Sequence, residues 1–257
     1  MGKDKLRKFA ENLTFDCFVQ PEFEDIFHKD HPLKGQWASS FFKNGKPIIL
    51  ELGCGKGEYT VALAARDSSH NYIGIDIKGA RMWRGAKQAT AAGMTNVGFL
   101  RTRIEFINSF FAPGEIAEIW ITFPDPQLKR RRAKKRLTSP LFLERYAQML
   151  SPTGVINLKS DSKHLYEYTQ EVVRHFSLPL EVANDDIYGS GYADETLSVK
   201  TAYEEMFLRR NLPITYTRFG LGGQSIFPHF EWEEDDKLKE EKDCELERAG
   251  MPKNNCL

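Results

Sequence analysis

The chain has 257 residues, 41% of them hydrophobic and 28% charged, and its 36 Lys and Arg balance 36 Asp and Glu. This composition is ordinary for a globular protein, and no apolar stretch approaches the roughly 20 residues of a membrane-spanning helix. Its four cysteines lack Cys-x-x-Cys spacing, which argues against a structural zinc site and against a disulfide framework. Because the charged N-terminus lacks the apolar segment of a secretion signal, we expect a cytoplasmic protein. The cysteine spacing and the absence of a long apolar stretch lead us to expect neither a metal nor a membrane contact.

Short apolar runs alternate with amphipathic stretches of helical length, as expected of βα units on a parallel sheet. Parallel strands are predicted at residues 47–52, 72–76, 97–100, 118–123 and 154–159, and further strands at 180–182 and 214–219. Helices are predicted at residues 58–66, 80–92, 140–150, 162–176 and 202–210, with Ser160 or Asp161 as the cap of the fourth. We therefore expect an α/β, Rossmann-like fold with helices on both faces of a mostly parallel sheet.

Three segments are expected along the chain. Residues 1–45 form an N-terminal extension that we expect to face RNA or to be partly ordered, and residues 46–222 form the main domain. Residues 223–257 form a charged tail in which Asp and Glu dominate from Glu231 to Glu247. Such a composition is typical of a segment without a packed core of its own, and of disorder.

A glycine-rich loop follows the first of these parallel strands directly and carries the strongest chemical signal. It reads Glu51-Leu-Gly53-Cys-Gly55-Lys-Gly57 and precedes a predicted helix. Glycines at this place allow a sharp turn and close approach of a nucleotide-like ligand. A dinucleotide-binding fingerprint needs glycine at the sixth position from Gly53, where this chain has Glu58. A carboxylate two residues before the loop favours a ligand that carries positive charge.

Two aspartates lie at the ends of predicted strands. Asp76 ends the second parallel strand, 19 residues after Gly57, where a carboxylate can accept hydrogen bonds from both ribose hydroxyls; capping of the next helix is the alternative. Asp125 lies between Pro124 and Pro126 at the end of the fourth strand. A carboxylate held there can bind the ring N–H and amino group of a base, or it can bond its own backbone in a turn.

A basic segment, residues 129–136, follows this turn and reads KRRRAKKR. A run of charge is usually a solvated surface. Here it adjoins the candidate site, where a polyanion has to be held, so we expect it to bind phosphates.

These motifs resemble those of the class I methyltransferases, and in their order and spacing those of the bacterial tRNA (guanine-N7-)-methyltransferases. The resemblance covers about residues 9–219 and includes the Glu51 loop, the Pro124-Asp125-Pro126 turn, Lys129 with the basic segment, Ser160-Asp161 and residues 201–204. It implies a seven-stranded sheet, S-adenosylmethionine as methyl donor, and methylation of guanine 46 at N7 in the tRNA variable loop.

The resemblance also implies roles for individual residues. The cofactor-side positions are Glu51, Gly53, Gly55, Gly57, Asp76 and Asp125, and Asp125 is also the catalytic candidate. The substrate-side positions are Lys129, Asp161, Thr201 and Glu204. Three positions depart from the family pattern: Gln127 replaces a frequent Trp, Arg103 replaces a frequent Asp on the adenine side, and Ala202 replaces a common Lys.

Other functions remain open at this point. A methyltransferase of the same fold could act on a base amino group or a small molecule, although such amino-group enzymes usually carry an Asn- or Asp-Pro-Pro-aromatic turn where this chain has Pro-Asp-Pro-Gln. A noncatalytic RNA-binding protein of this fold is a second alternative. A nicotinamide dehydrogenase is disfavoured because its glycine spacing is absent. The sequence does not decide between a monomer and a homodimer.

Overall fold

The structure, a computed structural model, describes residues 2–232, which form one eight-stranded sheet with helices on both faces. The strands are β1 (Phe18–Val19), β2 (Ile48–Leu52), β3 (Asn71–Asp76), β4 (Val97–Arg101), β5 (Ile116–Thr122), β6 (Leu150–Ser160), β7 (Leu180–Asn184) and β8 (Thr215–Gly220). The helices are α1 (Gly2–Asn12), α2 (Phe23–Ile26), α3 (Glu58–Arg66), α4 (Gly79–Ala91), α5 (Pro140–Ala147), α6 (Lys163–His175) and α7 (Ala202–Leu208). Short 3₁₀ segments cover Ile104–Ser109 and Arg130–Lys135.

The sheet changes winding direction at β2. Its strand order is β1-β4-β3-β2-β5-β6-β8-β7, with β1 to β6 parallel and β8 antiparallel to both of its neighbours. The loops after β2 and β5 therefore diverge and leave a crevice at the carboxyl edge of the sheet, where open α/β folds bind ligands. The predicted fold class is confirmed, and the eighth strand beyond the expected seven is the two-residue β1 beside β4.

The predicted elements agree closely with the observed ones. Helix α3 has the predicted bounds, and β2 to β5 agree within two residues at each end. Helix α5 ends before the predicted residue 150 because Leu150 already pairs with Ile116 in the sheet. The predicted cap of α6 was wrong: Ser162 Oγ accepts the Leu165 N–H at 3.3 Å, whereas Ser160 still belongs to β6.

Alternation along β2 sends its side chains to two separate hydrophobic layers. Ile48, Leu50 and Leu52 join the layer that α5 and α6 cover, while Ile49 joins the layer that α3 and α4 cover. Full burial of such a side chain contributes about 1.5–3 kcal/mol. Glu51 shares the face of Ile49, so its carboxyl group is directed toward α3.

The N-terminal extension packs onto the main domain. Helix α1 lies against α4, where the Asn12 side-chain amide donates to the Gly79 carbonyl at 3.0 Å. Trp37 is fully buried and donates from Nε1 to the Phe110 carbonyl at 2.8 Å. The extension therefore completes both the sheet edge and part of the core.

The first ten residues of the charged tail also contact the domain. Phe227 is buried, and the rings of Phe230 and Trp232 lie 5.9 and 5.8 Å from that of Tyr168 on α6. These aromatic residues join the hydrophobic layer beneath α6 instead of forming a separate core. The acidic residues 233–257, for which disorder was predicted, lie outside the described residues.

No helix among residues 2–232 is long and apolar enough to cross a bilayer. The same residues contain no group of three His, Cys, Asp or Glu that could hold a metal ion. Cys17 and Cys54 are free thiols.

Candidate active site

The glycine loop after β2 is held against β3 and leaves its outer side open. The amides of Gly53 and Cys54 donate to the Ile75 carbonyl at 2.8 and 3.0 Å. Gly53 and Gly55 have φ of 79° and 56°, a region that favours glycine. A side chain at Gly53 would meet no atom within 4 Å. The loop thus offers free space beside its backbone at the crevice.

Position 57 needs glycine for a different reason: the neighbouring residues leave no space for a side chain. Its φ is 72°, and a Cβ atom there would lie 2.5 Å from the Phe99 ring. On the other side, a Cβ at Gly85 of α4 would lie 2.8 Å from the Lys56 carbonyl. The end of the loop is therefore in close contact with both β4 and α4.

Glu51 is buried at the base of this loop and accepts hydrogen bonds from two threonines. One carboxylate oxygen accepts the Thr60 N–H at 2.8 Å together with the Thr60 hydroxyl, and the other accepts the Thr122 hydroxyl at 2.7 Å. Burial nevertheless raises the pKa of Glu51 to about 7, and the nearby Asp76 carboxylate adds to the rise. A cation bound in the crevice would favour the ionised form of Glu51.

Asp76 connects β3, the glycine loop and α4. Its Oδ2 accepts the Gly55 N–H at 3.0 Å, and its Oδ1 accepts the Lys78 N–H at 2.8 Å. The capping alternative is not observed, because α4 begins at Gly79 after the N-cap residue Lys78 and has no side-chain capping bond. Asp76 instead closes a turn at Lys78 and binds the glycine loop. The Asp76 side chain remains half-buried at the carboxyl edge of the sheet.

Asp125 lies in a turn with unusual backbone conformations on both sides. Phe123 and Gln127 are non-glycine residues with φ of 49° and 48°. Asp125 is exposed, and its Oδ1 accepts the Gln127 N–H at 3.0 Å. The turn alternative is thus observed, but strained backbone at the carboxyl edge of a sheet is also typical of functional loops. Oδ2 accepts no hydrogen bond from the described residues.

Arg136, which the sequence grouped with the phosphate-binding run, is fully buried instead. Its guanidinium donates to the Pro126 and Gln127 carbonyls at 3.2 and 3.1 Å, contacts His164 Nε2 at 2.8 Å and stacks on the Tyr168 ring at 4.3 Å. Arg136 therefore holds the Asp125 turn in place. The cations of this segment that remain exposed at the surface include Lys129, Arg131 and Lys134.

Glu204 and Thr201 lie at the start of α7, and Glu204 is directed into the protein. Thr201 caps the helix by accepting the Glu204 N–H at 3.2 Å. Glu204 is fully buried; its Oε1 lies 2.7 Å from Lys159 Nζ and accepts the Tyr188 hydroxyl at 2.6 Å. Its Oε2 is buried without a hydrogen bond to any described residue.

Lys159 was not singled out from the sequence, although it is the last residue of the predicted strand 154–159 and lies two residues before Asp161. Besides Glu204 it binds the carbonyls of Leu197 and Val199 at 2.5 and 3.2 Å. Burial lowers its pKa, and the Glu204 carboxylate opposes that shift. The sequence pattern did not indicate that Lys159 is buried and paired, because its partners lie about 40 residues away along the chain.

The structure thus brings most of the candidate residues to the carboxyl edge of the sheet. Asp76 is hydrogen-bonded to the glycine loop through Gly55. Glu51, at the base of that loop, is bonded to Thr60 of α3 and to Thr122 of β5. The amide of Phe123 donates to the Lys159 carbonyl at 2.8 Å, which places the Asp125 turn beside the end of β6 and Asp161. Arg103 is exposed and lies 3.5 Å from Glu105, so it forms a surface ion pair.

Comparison with curated proteins gives consistent matches. A family model described as a putative methyltransferase matches residues 45–217. The tRNA (guanine-N(7)-)-methyltransferase of Christiangramia forsetii is 49% identical over 219 residues, which are 85% of this chain and 98% of that protein. The protein of that name from Porphyromonas gingivalis is 54% identical over 192 residues, which are 74% of this chain and 78% of that one.

Solved structures show the same architecture at low sequence identity. An antibiotic-related methyltransferase superposes with a TM-score of 0.53 at 16% identity, covering 74% of this chain and 95% of that one. The 16S rRNA methyltransferase KamB superposes with a TM-score of 0.52 at 15% identity, covering 68% and 88%. These similarities establish the fold, while the curated relatives and the family model establish the family. The chain belongs to the tRNA (guanine-N7-)-methyltransferase family.

Proposed function

We propose that this protein transfers the methyl group of S-adenosylmethionine to N7 of guanine 46 in the variable loop of tRNA. The observation that carries the proposal lies at the switch point of the sheet, where Asp76 accepts the Gly55 N–H of the glycine loop and the buried Glu51 lies at the base of that loop. Residues 46–222 would form the catalytic domain. Because its substrate is tRNA, the protein would act in the cytoplasm.

The residues at the crevice fit the donor. Gly53 and Gly55 leave open backbone for close approach of a ligand, and Asp76 can accept hydrogen bonds from ribose hydroxyls. Positive charge on the donor would lower the raised pKa of Glu51 and stabilise its carboxylate. When bound, S-adenosylmethionine supplies a methyl group made electrophilic by a positively charged sulfur.

The main contribution of the protein's own residues would be to bind and orient the guanine base. N7 of guanine carries an in-plane lone pair and no proton, so the attack needs no general base. Asp125 is exposed at the edge next to this crevice, and we assign it to the ring N–H and amino group of the guanine, with Asp161 beside it. Both carboxylates would also offset the positive charge that develops on the purine, and such preorganised charge is a large source of catalysis.

The remaining substrate-side residues would act in two ways. Lys129 is exposed at the start of the basic segment and would contact phosphate. Thr201 and Glu204 would act by shaping the wall of the site, since Glu204 is buried against Lys159 and Thr201 caps the helix that carries it.

The proposal is tested by incubating the protein with labelled S-adenosylmethionine and unmodified tRNA, followed by mass spectrometry of the nucleosides. We expect label in 7-methylguanosine with a guanine at position 46, and none when that position is changed to adenine. Label on a base amino group or on another position would contradict the assignment. A protein that binds tRNA but incorporates no label would instead be a noncatalytic RNA-binding protein.

A further inference from the structure

The part of the chain from Asp76 to Glu105 has a strong charge imbalance. It contains six Lys and Arg between these two residues and no Asp or Glu, although the whole chain has 36 of each kind. The six cations are Lys78, Arg81, Arg84, Lys87, Arg101 and Arg103. Self-repulsion of this kind is unfavourable unless an anion is bound nearby.

Four of these cations cover the outer side of α4. Met82, Gly85, Ala86 and Ala89 face the core and are buried. Lys78, Arg81, Arg84 and Lys87 are exposed and recur every third residue, so consecutive members are neighbours on the helix surface. Arg84 lies 3.5 Å from Glu58. The side chain of Arg81 has no ion pair with any residue from 2 to 232.

Helix α1 adds further cations to the same surface. Arg7, Lys8 and Lys87 surround the Trp83 ring, at 5.2, 5.0 and 4.8 Å from its centroid. Three cations on one indole ring repel one another. Asp4 and Glu11 offset part of this charge through exposed ion pairs with the same three cations.

We define the α1–α4 surface as the exposed or half-buried cations of these two helices together with Lys78, the N-cap residue of α4. Its members are Lys5, Arg7, Lys8, Lys78, Arg81, Arg84 and Lys87. Against these seven stand only Asp4, Glu11 and the neighbouring Glu58. The surface therefore keeps an excess of positive charge.

This surface and the basic segment 129–136 lie on opposite sides of the crevice. Helix α4 starts three residues after Asp76 at the end of β3, whereas the basic segment follows β5, and β2 separates these two strands. The chain winds away from β2 in opposite directions, so right-handed crossovers put α4 and the basic segment on opposite faces of the sheet. A polyanion lying across the crevice would meet cations on both sides.

We propose that the α1–α4 surface is a second docking surface for the phosphate backbone of tRNA. This inference rests on the proposed function, since it needs tRNA as the substrate at the crevice. The surface would hold a part of the tRNA away from the methylated base, while the basic segment holds phosphates near it. It would raise affinity without reading sequence, because phosphate contacts carry no base information.

The test is a triple variant, Arg81→Gln/Arg84→Gln/Lys87→Gln, with tRNA affinity measured over a range of salt concentrations without methyl donor. Each lost phosphate contact lowers the slope of log K against log salt by roughly 0.7 to 0.9, so we expect a decrease of about 2 to 3. At about 0.1 M salt the Kd should rise at least about tenfold. The KM for tRNA should rise as well, and the affinity for S-adenosylmethionine should not change.

A matched control variant carries Lys43→Gln, Lys46→Gln and Arg174→Gln, which removes the same charge at the opposite edge of the sheet. We expect its salt slope to stay close to that of the wild type. If the triple variant fails to fold, Arg81→Gln alone should lower the slope by about 1. Equal slopes for the triple and control variants would overturn the docking surface while leaving the proposed function intact. Wild-type protein that does not methylate tRNA would overturn the proposed function itself.

Discussion

Lys159 and Glu204 form an ion pair in which Nζ lies 2.7 Å from Oε1, and neither side chain is exposed. The pair joins β6 to the first turn of α7 across 45 residues of chain. Lys159 also binds two carbonyls of the segment before α7. One buried lysine therefore holds the whole segment from Leu197 to Glu204 against the end of the sheet.

Replacing Lys159 by Met should destabilise the protein strongly, because it leaves the Glu204 carboxylate buried without its counter-charge. We expect the free energy of unfolding to fall by about 3–5 kcal/mol in urea titrations. The double variant Lys159→Met/Glu204→Leu removes both charges and should recover much of that loss. A double variant no more stable than the single one would show that the charge imbalance is not the cause.

Glu51→Gln should change how stability depends on pH. The folded-state pKa of Glu51 is raised to about 7 from the ordinary 4.5, so folding favours its protonated form. The stability from this group is present below pH 4.5 and is lost as the pH rises through about 7. Between pH 5 and 8 the wild type should therefore lose on the order of 2 to 3 kcal/mol relative to the variant.

Urea titrations of both proteins at the two pH values measure this difference, with the variant as the control for every other titrating group. The same variant also tests the donor site. Calorimetry should show weaker binding of S-adenosylmethionine, since the amide lacks the carboxylate charge. An identical pH dependence of stability in the two proteins would be evidence against ionisation of Glu51.

Asp125→Asn should remove the negative charge of this residue while keeping the hydrogen bond that it makes in the turn. The amide oxygen can still accept the Gln127 N–H, and because the side chain is exposed we expect stability to change by less than about 0.5 kcal/mol. The kcat for methyl transfer to tRNA should fall by roughly 10²–10³, the range for loss of one preorganised electrostatic group. Asp16→Asn, another exposed aspartate, serves as control. A wild-type rate would remove Asp125 from the mechanism.

Gly57→Ala should cost more stability than Gly93→Ala, although both glycines have positive φ. A Cβ at Gly93 meets no atom within 4 Å, so only backbone strain of about 1 kcal/mol is expected there. A Cβ at Gly57 would lie 2.5 Å from the Phe99 ring, and overpacking adds about 1–3 kcal/mol. Thermal or urea unfolding of the two variants gives the comparison, and equal losses would argue against the close packing of this loop.

The sequence alone determined the fold class and the main elements, and it pointed to the glycine loop and Asp76 as candidate site residues. Helix and strand periods are local, so α3 and β2 to β5 were predicted within two residues. The glycine loop and Asp76 were also readable, because strand ends of neighbouring parallel strands meet at one edge. The number of strands was missed by one, since the two-residue β1 carries no periodic pattern.

Only the tertiary structure decided which charges face the crevice and which are buried. Arg136 reads as part of a basic run, yet its partners Pro126, His164 and Tyr168 bury it. Lys159 reads as a strand residue, yet it neutralises Glu204. Both outcomes depend on contacts between segments distant in sequence, and burial, which sets the electrostatic energy of a charge, exists only after those segments have packed.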